Sequence, residues 1–176
     1  MLLRKKKRFG SPSQEATRWW SNAFRKKIEH NEALSNYDLD YLLSSSPSYS
    51  GTFPLDKLPP IPSTHASSSI INYHRDDQPG SHWCCYYNHP DEAFVSWFDS
   101  YGLPPSDRIK RWLRKTSKPI LYSTSRIQNI TSNRCGYYCM YFIQARDAQL
   151  NPYDILYQFY PDGSMNNERK LIDLLF

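Results

Sequence analysis

Apolar residues set two rhythms along the chain. Trp20, Phe24 and Ile28 recur at four-residue spacing and predict an amphipathic helix over 17–30. Ser35 reads as a helix N-cap with Asp38 as its capping-box partner, and Leu39, Leu42 and Leu43 give that short helix an apolar face. A serine-rich loop follows. The four prolines within 51–65 predict irregular or extended chain there. Beyond it the rhythm shortens. Residues 69–73, 82–87 (HWCCYY) and 93–98 (AFVSWF) read as strands, the last two joined across Asn88–Glu92 by a link of hairpin length. Pro104-Pro105 opens a helix over 106–115 capped by Ser106, and 119–123 is a short strand. The run 135–145 is helical and so dense in aromatics that it is expected to be buried; further helices fall at 152–159 and 166–175. These elements predict an α+β fold, a small mixed or antiparallel sheet packed on a buried helix.

Charge divides the chain. Net charge is +5 over 176 residues, but residues 1–34 carry nine Lys/Arg against three acids, leaving 13 basic and 14 acidic side chains for the rest. The division predicts a basic, partly disordered N-terminal extension over 1–34 and one domain over 35–176. Nucleic-acid affinity attaches only to the extension, through 4–8 (RKKKR) and 18–27. No apolar run approaches the ~20 residues of a membrane span, and no apolar segment follows the basic start. The expectation is an intracellular protein, not secreted, with no membrane partner.

Four cysteines, Cys84, Cys85, Cys135 and Cys139, are too few for a disulfide scaffold and read as reduced thiols. Cys84 and Cys85 point to opposite faces of a strand and cannot readily pair. Zinc binding by these cysteines with His82 and His89 is set aside, because the spacing lacks the Cys-x2–4-Cys knuckle.

Nucleophilic chemistry fits better. His82 opens the second strand and Asp99 closes the third, so a hairpin brings them to one sheet edge, where a carboxylate orients an imidazole. Cys135 begins the buried helix, where the first-turn N–H groups favour a thiolate. The Cys135 N–H and the Gln128 amide are expected to receive an oxyanion, and Gly136 to let a substrate backbone approach. Each residue alone has a structural reading: a satisfied strand histidine, a turn aspartate, a packed helix cysteine. The combination carries the argument.

Gly80-Ser81-His82-Trp83, Phe98-Asp99-Ser100-Tyr101-Gly102, Gln128 and Cys135-Gly136-Tyr137-Tyr138-Cys139, in that order, resemble the adenovirus-type cysteine endopeptidases and their relatives, the proteases of SUMO and other ubiquitin-like proteins. The upstream Tyr49–Phe53 and Asp56–Pro59 look like the segment before the core in short proteases of viruses and virus-like transposons. The resemblance spans about 35–160. It implies the adenain-like cysteine protease fold, with papain-like chemistry: Cys135 as nucleophile, His82 as base and then acid, Asp99 orienting it, and Gln128 in the oxyanion hole. It further implies a monomer that cleaves polypeptide precursors during particle maturation, in a host nucleus or virion. No metal or small cofactor is implied; DNA or an activating peptide is an optional stimulant. The adenoviral enzyme holds its peptide through a Cys between acid and nucleophile, and this chain has none between Cys85 and Cys135. The alternatives are a SUMO-type deconjugating protease and an inactive DNA-binding or structural module.

Overall fold

The structure, a computed structural model, describes residues 14–161 and 163–176, with side chains described from residue 22. The cluster at 4–8 and the side chains of 18–21 lie outside the described residues.

The centre of the molecule is an antiparallel three-strand unit of β2 (Ser67–Asn72), β3 (Trp83–Asn88) and β4 (Val95–Phe98). Ile71 pairs with Cys84 across β2 and β3, and Cys85 with Phe98 across β3 and β4. Side chains alternate between two covered faces. Ile70, Cys85, Tyr87 and Phe98 face a core built on helix α4 (Cys135–Asp147). Ile71, Cys84, Tyr86, Val95 and Trp97 face a second core with Ile109, Trp112 and Leu113 of α3 (Asp107–Leu113). Cys84 and Cys85 therefore look into different cores, as strand geometry requires. Both faces are buried, so even the serines of β2, Ser67, Ser68 and Ser69, lie inside the molecule.

The proline-rich stretch is extended at its start, where it joins the sheet as a strand that was not singled out. Residues 49–54 form a strand, β1 (Tyr49–Pro54), parallel to β2, with a register irregularity between Tyr49 and Thr52. At the other side β5 (Ile120–Tyr122) runs parallel to β4, so the five-stranded sheet, in the order β1-β2-β3-β4-β5, is mixed and not wholly antiparallel. The prolines after β1 let the chain wrap over the second core: Leu55, Leu58 and Ile61 pack on it, and the Trp112 indole donates to the Pro59 carbonyl at 2.7 Å.

The helices form where local chemistry places them. The Ser35–Asp38 capping box opens α2 (Asn36–Leu42), and Ser106 caps α3. Helix α4 is buried on nearly all sides, with Phe142 stacked on Phe98 at 4.5 Å; a helix enclosed all round needs no polar stripe. Helices α5 (Pro152–Leu156) and α6 (Met165–Leu175) complete that side. Helix α1 (Gln14–Glu29) is not detached from the rest: Phe24, Ile28 and Leu34 sit in the same core as Leu39 and α4, so packing crosses the boundary expected at 34/35. On its surface Arg25 pairs with Glu29 and Lys27 with Asp38, each at 3.1 Å. Among the described residues no helix is long and apolar enough to cross a membrane.

Candidate active site

The β3–β4 register carries one step past Cys85–Phe98, which sets Cys84 beside Asp99 and puts His82 at the open end of the hairpin. There His82 Nε2 lies 2.9 Å from Asp99 Oδ1, with the carboxylate side chain fully buried and the imidazole 14% exposed. The same Oδ1 accepts the Tyr101 N–H at 2.8 Å, and Oδ2 accepts the Cys84 thiol at 3.1 Å. Three donors thus hold the carboxylate: the imidazole, a backbone N–H and a thiol of the neighbouring strand. The imidazole stacks with Tyr101 at 4.8 Å and Tyr73 at 6.0 Å between ring centroids. Burial pulls the His82 pKa down, but the Asp99 hydrogen bond and the neighbouring Cys135 side chain outweigh it and raise it to about 9.

Cys135 occupies the first turn of α4, nearly buried, and lines a cleft of about 460 Å³ together with Leu34, Phe53, His82, Trp83 and Tyr101. The chain reaches it through a loop held from behind. Arg134, the residue before it, directs Nε and Nη2 to the Ile28 carbonyl at 2.8 and 2.6 Å and Nη1 to Glu168 at 3.4 Å. Glu168, on α6, also accepts the Asn129 N–H at 2.8 Å and the Ser132 hydroxyl at 3.0 Å. Asn31, in the left-handed region at φ 58°, binds the Asn133 N–H at 2.8 Å and so ties the end of α1 to the same loop. At Gly102, φ 70° and a Cβ site 2.7 Å from the Thr124 carbonyl oxygen require glycine in the turn after Tyr101.

The other thiols are set apart from this one. Burial pushes the Cys84 and Cys139 pKa values well above the ordinary thiol value, so both stay protonated. Three potential metal-ligand atoms, from His82, Cys84 and Asp99, lie within 4.8 Å of one another. Each already takes part in a hydrogen bond inside the group, and Cys84 has no exposed surface, so the arrangement reads as a hydrogen-bonded set that steadies the carboxylate.

Neither Gly136 nor Gln128 is among the residues that line the cleft. Gly136 does not face the cleft: its Cβ site is 3.3 Å from the Trp83 ring and 3.4 Å from Leu34 and Leu39. Its lack of a side chain lets the indole, whose N–H binds the Leu34 carbonyl at 2.9 Å, close over the first turn of α4. Gln128 is fully buried behind the cleft wall, with Nε2 donating to the Ser132 carbonyl at 2.7 Å and to the Tyr101 hydroxyl at 3.2 Å. Its Oε1 accepts the Ser100 hydroxyl at 2.5 Å. Tyr101 and Cys84 have a part at Asp99 that the sequence does not assign to them. The aromatic residue two positions after Asp99 was a signal for the first; nothing local marked the second.

No protein-family profile and no curated protein matches the chain. Solved structures do match. One structure of the ASFV pS273R protease aligns with TM-score 0.63 at 14% identity over 85% of this chain and 70% of that one. Another structure of the same protease gives TM-score 0.61 at 14% identity over 95% and 83%. The C-terminal Ulp1 protease domain, solved in complex with Smt3, the yeast ortholog of SUMO, gives TM-score 0.49 at 12% identity over 86% and 78%. The fold of this chain is the mixed-sheet α+β fold of the ASFV pS273R protease; at 14% identity the likeness is one of fold.

Proposed function

We propose that the protein is a cysteine endopeptidase. Cys135 attacks the scissile carbonyl, forming the C–S bond. His82 gives its proton to the leaving amine as the C–N bond breaks, then takes one from the water that hydrolyses the thioester. Asp99 fixes the imidazole by its bond to Nε2, leaving Nδ1 as the nitrogen for sulfur and substrate. The Cys135 N–H stands at the start of α4 to receive the oxyanion, and Gln128 supports that wall from behind. The observation that carries this reading is the His82–Asp99 pair at 2.9 Å, with Cys135 among the groups that keep the imidazole charged.

The substrate proposed is an extended polypeptide, such as a loop of a precursor. The outermost strand, β1, supplies Thr52, Phe53 and Pro54 to the cleft wall, where a substrate strand can lie alongside. Contact with DNA through 4–8 and 18–27 belongs to the proposal as a tether, although Arg25 and Lys27 already have acidic partners. Faster cleavage with DNA at low salt, lost on removal of residues 1–8, supports the tether; DNA without effect discards it.

The test is a thiol-directed electrophile at low stoichiometry near neutral pH, with the adduct mapped. Adduct on Cys135 that disappears in His82→Ala supports the proposal. Equal modification of Cys84 or Cys139 contradicts it. A peptide library offered beside a SUMO conjugate sorts the substrate: turnover of the conjugate alone replaces the endopeptidase reading with deconjugation.

A further inference from the structure

We infer that the side-chain amide of Asn72 is a substrate-binding donor of the cleft. It takes a backbone carbonyl of the polypeptide a few residues from the scissile bond, and position 80 is glycine to leave it room. This rests on the cysteine endopeptidase reading above and adds to it a residue that holds the substrate.

The sheet places Asn72. It ends β2, in register with Pro54 of β1 on one side and Trp83 of β3 on the other. Strand alternation puts it with Ile70 on the face that carries α4. It lines the cleft with Trp83, His82 and Cys135, one strand spacing, about 5 Å, beyond Trp83. An extended polypeptide crossing this row offers a carbonyl at every residue, whatever its side chains. Of the three residues in the row, Pro54 has no N–H to give. The Trp83 indole N–H is committed to the Leu34 carbonyl at 2.9 Å. The Asn72 amide is the side-chain donor that remains.

That amide is oriented in advance of substrate. Asn72 is 6% exposed, and its Oδ1 accepts the His74 N–H at 2.8 Å. A backbone donor must face the oxygen and not the NH2, so this bond fixes which way the amide points. Among the described residues Nδ2 has no hydrogen-bond partner, and it is not one of the unpartnered atoms sealed in the interior, so its hydrogens are open to the cleft. A nearly buried amide normally has its hydrogens bonded; a substrate carbonyl supplies the missing acceptor.

Gly80 is the second observation. Its φ lies outside the left-handed region, so its backbone does not demand glycine. Its Cβ site, however, is 2.8 Å from Asn72 Nδ2 and 3.8 Å from Cγ. Any side chain at position 80, which also lines the cleft, would push the amide out of place.

The probe is a decapeptide library, from which the member cleaved fastest by wild type is resynthesised for kinetics. Asn72→Asp keeps an oxygen for the His74 N–H and exchanges the donor for an acceptor. KM is expected to rise about 10- to 100-fold with kcat within about threefold, because the bond is equally present before and during the reaction. Alkylation of Cys135 by iodoacetamide, too small to span the row, is expected to stay within about twofold. Gly80→Ala should raise KM in the same way and covers the case in which Asn72→Asp folds poorly. Replacing the peptide carbonyls one at a time by thiocarbonyls, weaker acceptors, completes the cycle. At one position away from the scissile bond, KM should rise for wild type and not for Asn72→Asp. A KM of Asn72→Asp within about threefold of wild type overturns the inference, and so does the absence of any such position. A parallel loss of alkylation also overturns it, by showing that Asn72 acts on the Cys–His pair instead. Wild type that cleaves no member of the library removes the endopeptidase reading itself.

Discussion

Replacing Asp99 by Asn tests how the charge of one carboxylate governs the imidazole. The substitution leaves the geometry intact. The Asn Oδ1 is held by the same two donors, His82 Nε2–H and the Tyr101 N–H, and Nδ2 takes the place of Oδ2 beside the Cys84 sulfur. Only the charge is lost. In the wild type, the His82 pKa rises from 6.5 to about 9 against the opposing effect of burial. At about 1.4 kcal/mol per pKa unit, the imidazolium is favoured by about 3 kcal/mol. Asp99 leads the two groups that raise it and Cys135 is second, while burial is unchanged in the variant. The midpoint is therefore expected to fall by at least about 1.5 units, or about 2 kcal/mol. NMR titration of the imidazole Cε1–H resonances reads this directly. The chain has five histidines, and His82 is assigned by the signal missing from His82→Ala. Because a neighbouring thiol and imidazole titrate as a pair, the comparison is repeated with Cys135→Ala in both chains. A midpoint that stays near 9 in Asp99→Asn would refute the account of the site given above.

The same shift has a consequence for stability. A folded-state pKa of about 9 against an unfolded 6.5 means that His82 stabilises the fold fully below pH 6.5 and loses this contribution as pH rises through 9. The excess stability of wild type over His82→Gln in urea melts should shrink across that window; a constant difference contradicts it. Cys84→Ala removes the thiol that donates to Asp99 Oδ2 and should move the His82 midpoint measurably; no movement would mean that the thiol only packs. Glu168→Ala leaves the Arg134 guanidinium buried without its carboxylate and should cost about 3–5 kcal/mol in denaturant melts, with Cys135 alkylation slowed. A cost under about 1 kcal/mol would show that the loop before Cys135 does not depend on this pair.

Much of this arrangement was legible in the sequence because it is local. The hairpin that joins His82 to Asp99 follows from two alternating runs and a short link, and Ser35, Asp38 and Ser106 announce their helices within four residues of chain. What escaped depends on distant partners. β1 interleaves the strand formers Tyr49, Thr52 and Phe53 with Ser50, Gly51 and Pro54, which break the pattern, and it is completed by the ladder that β2 offers. The role of Gly136 depends on an indole that lies 53 positions earlier in the chain. The engagement of Gln128 depends on Tyr101, 27 positions away, meeting it beside Ser132 of its own loop, and no spacing rule records that both amide protons find partners. The apolar stripe of Phe24 and Ile28 is legible, but not which core it enters, since its partners on α2 and α4 lie elsewhere in the chain.

The Arg134 clamp also sets an order of events. Its two strongest bonds reach back 106 positions to the Ile28 carbonyl, and its ionic partner lies 34 positions ahead in the last helix. A chain emerging from the ribosome has its sulfur and imidazole long before it has Glu168. The Arg134 side chain, the residue before Cys135, is therefore fully held only once α6 has been made and packs on the loop, which ties the start of α4 to both α1 and α6.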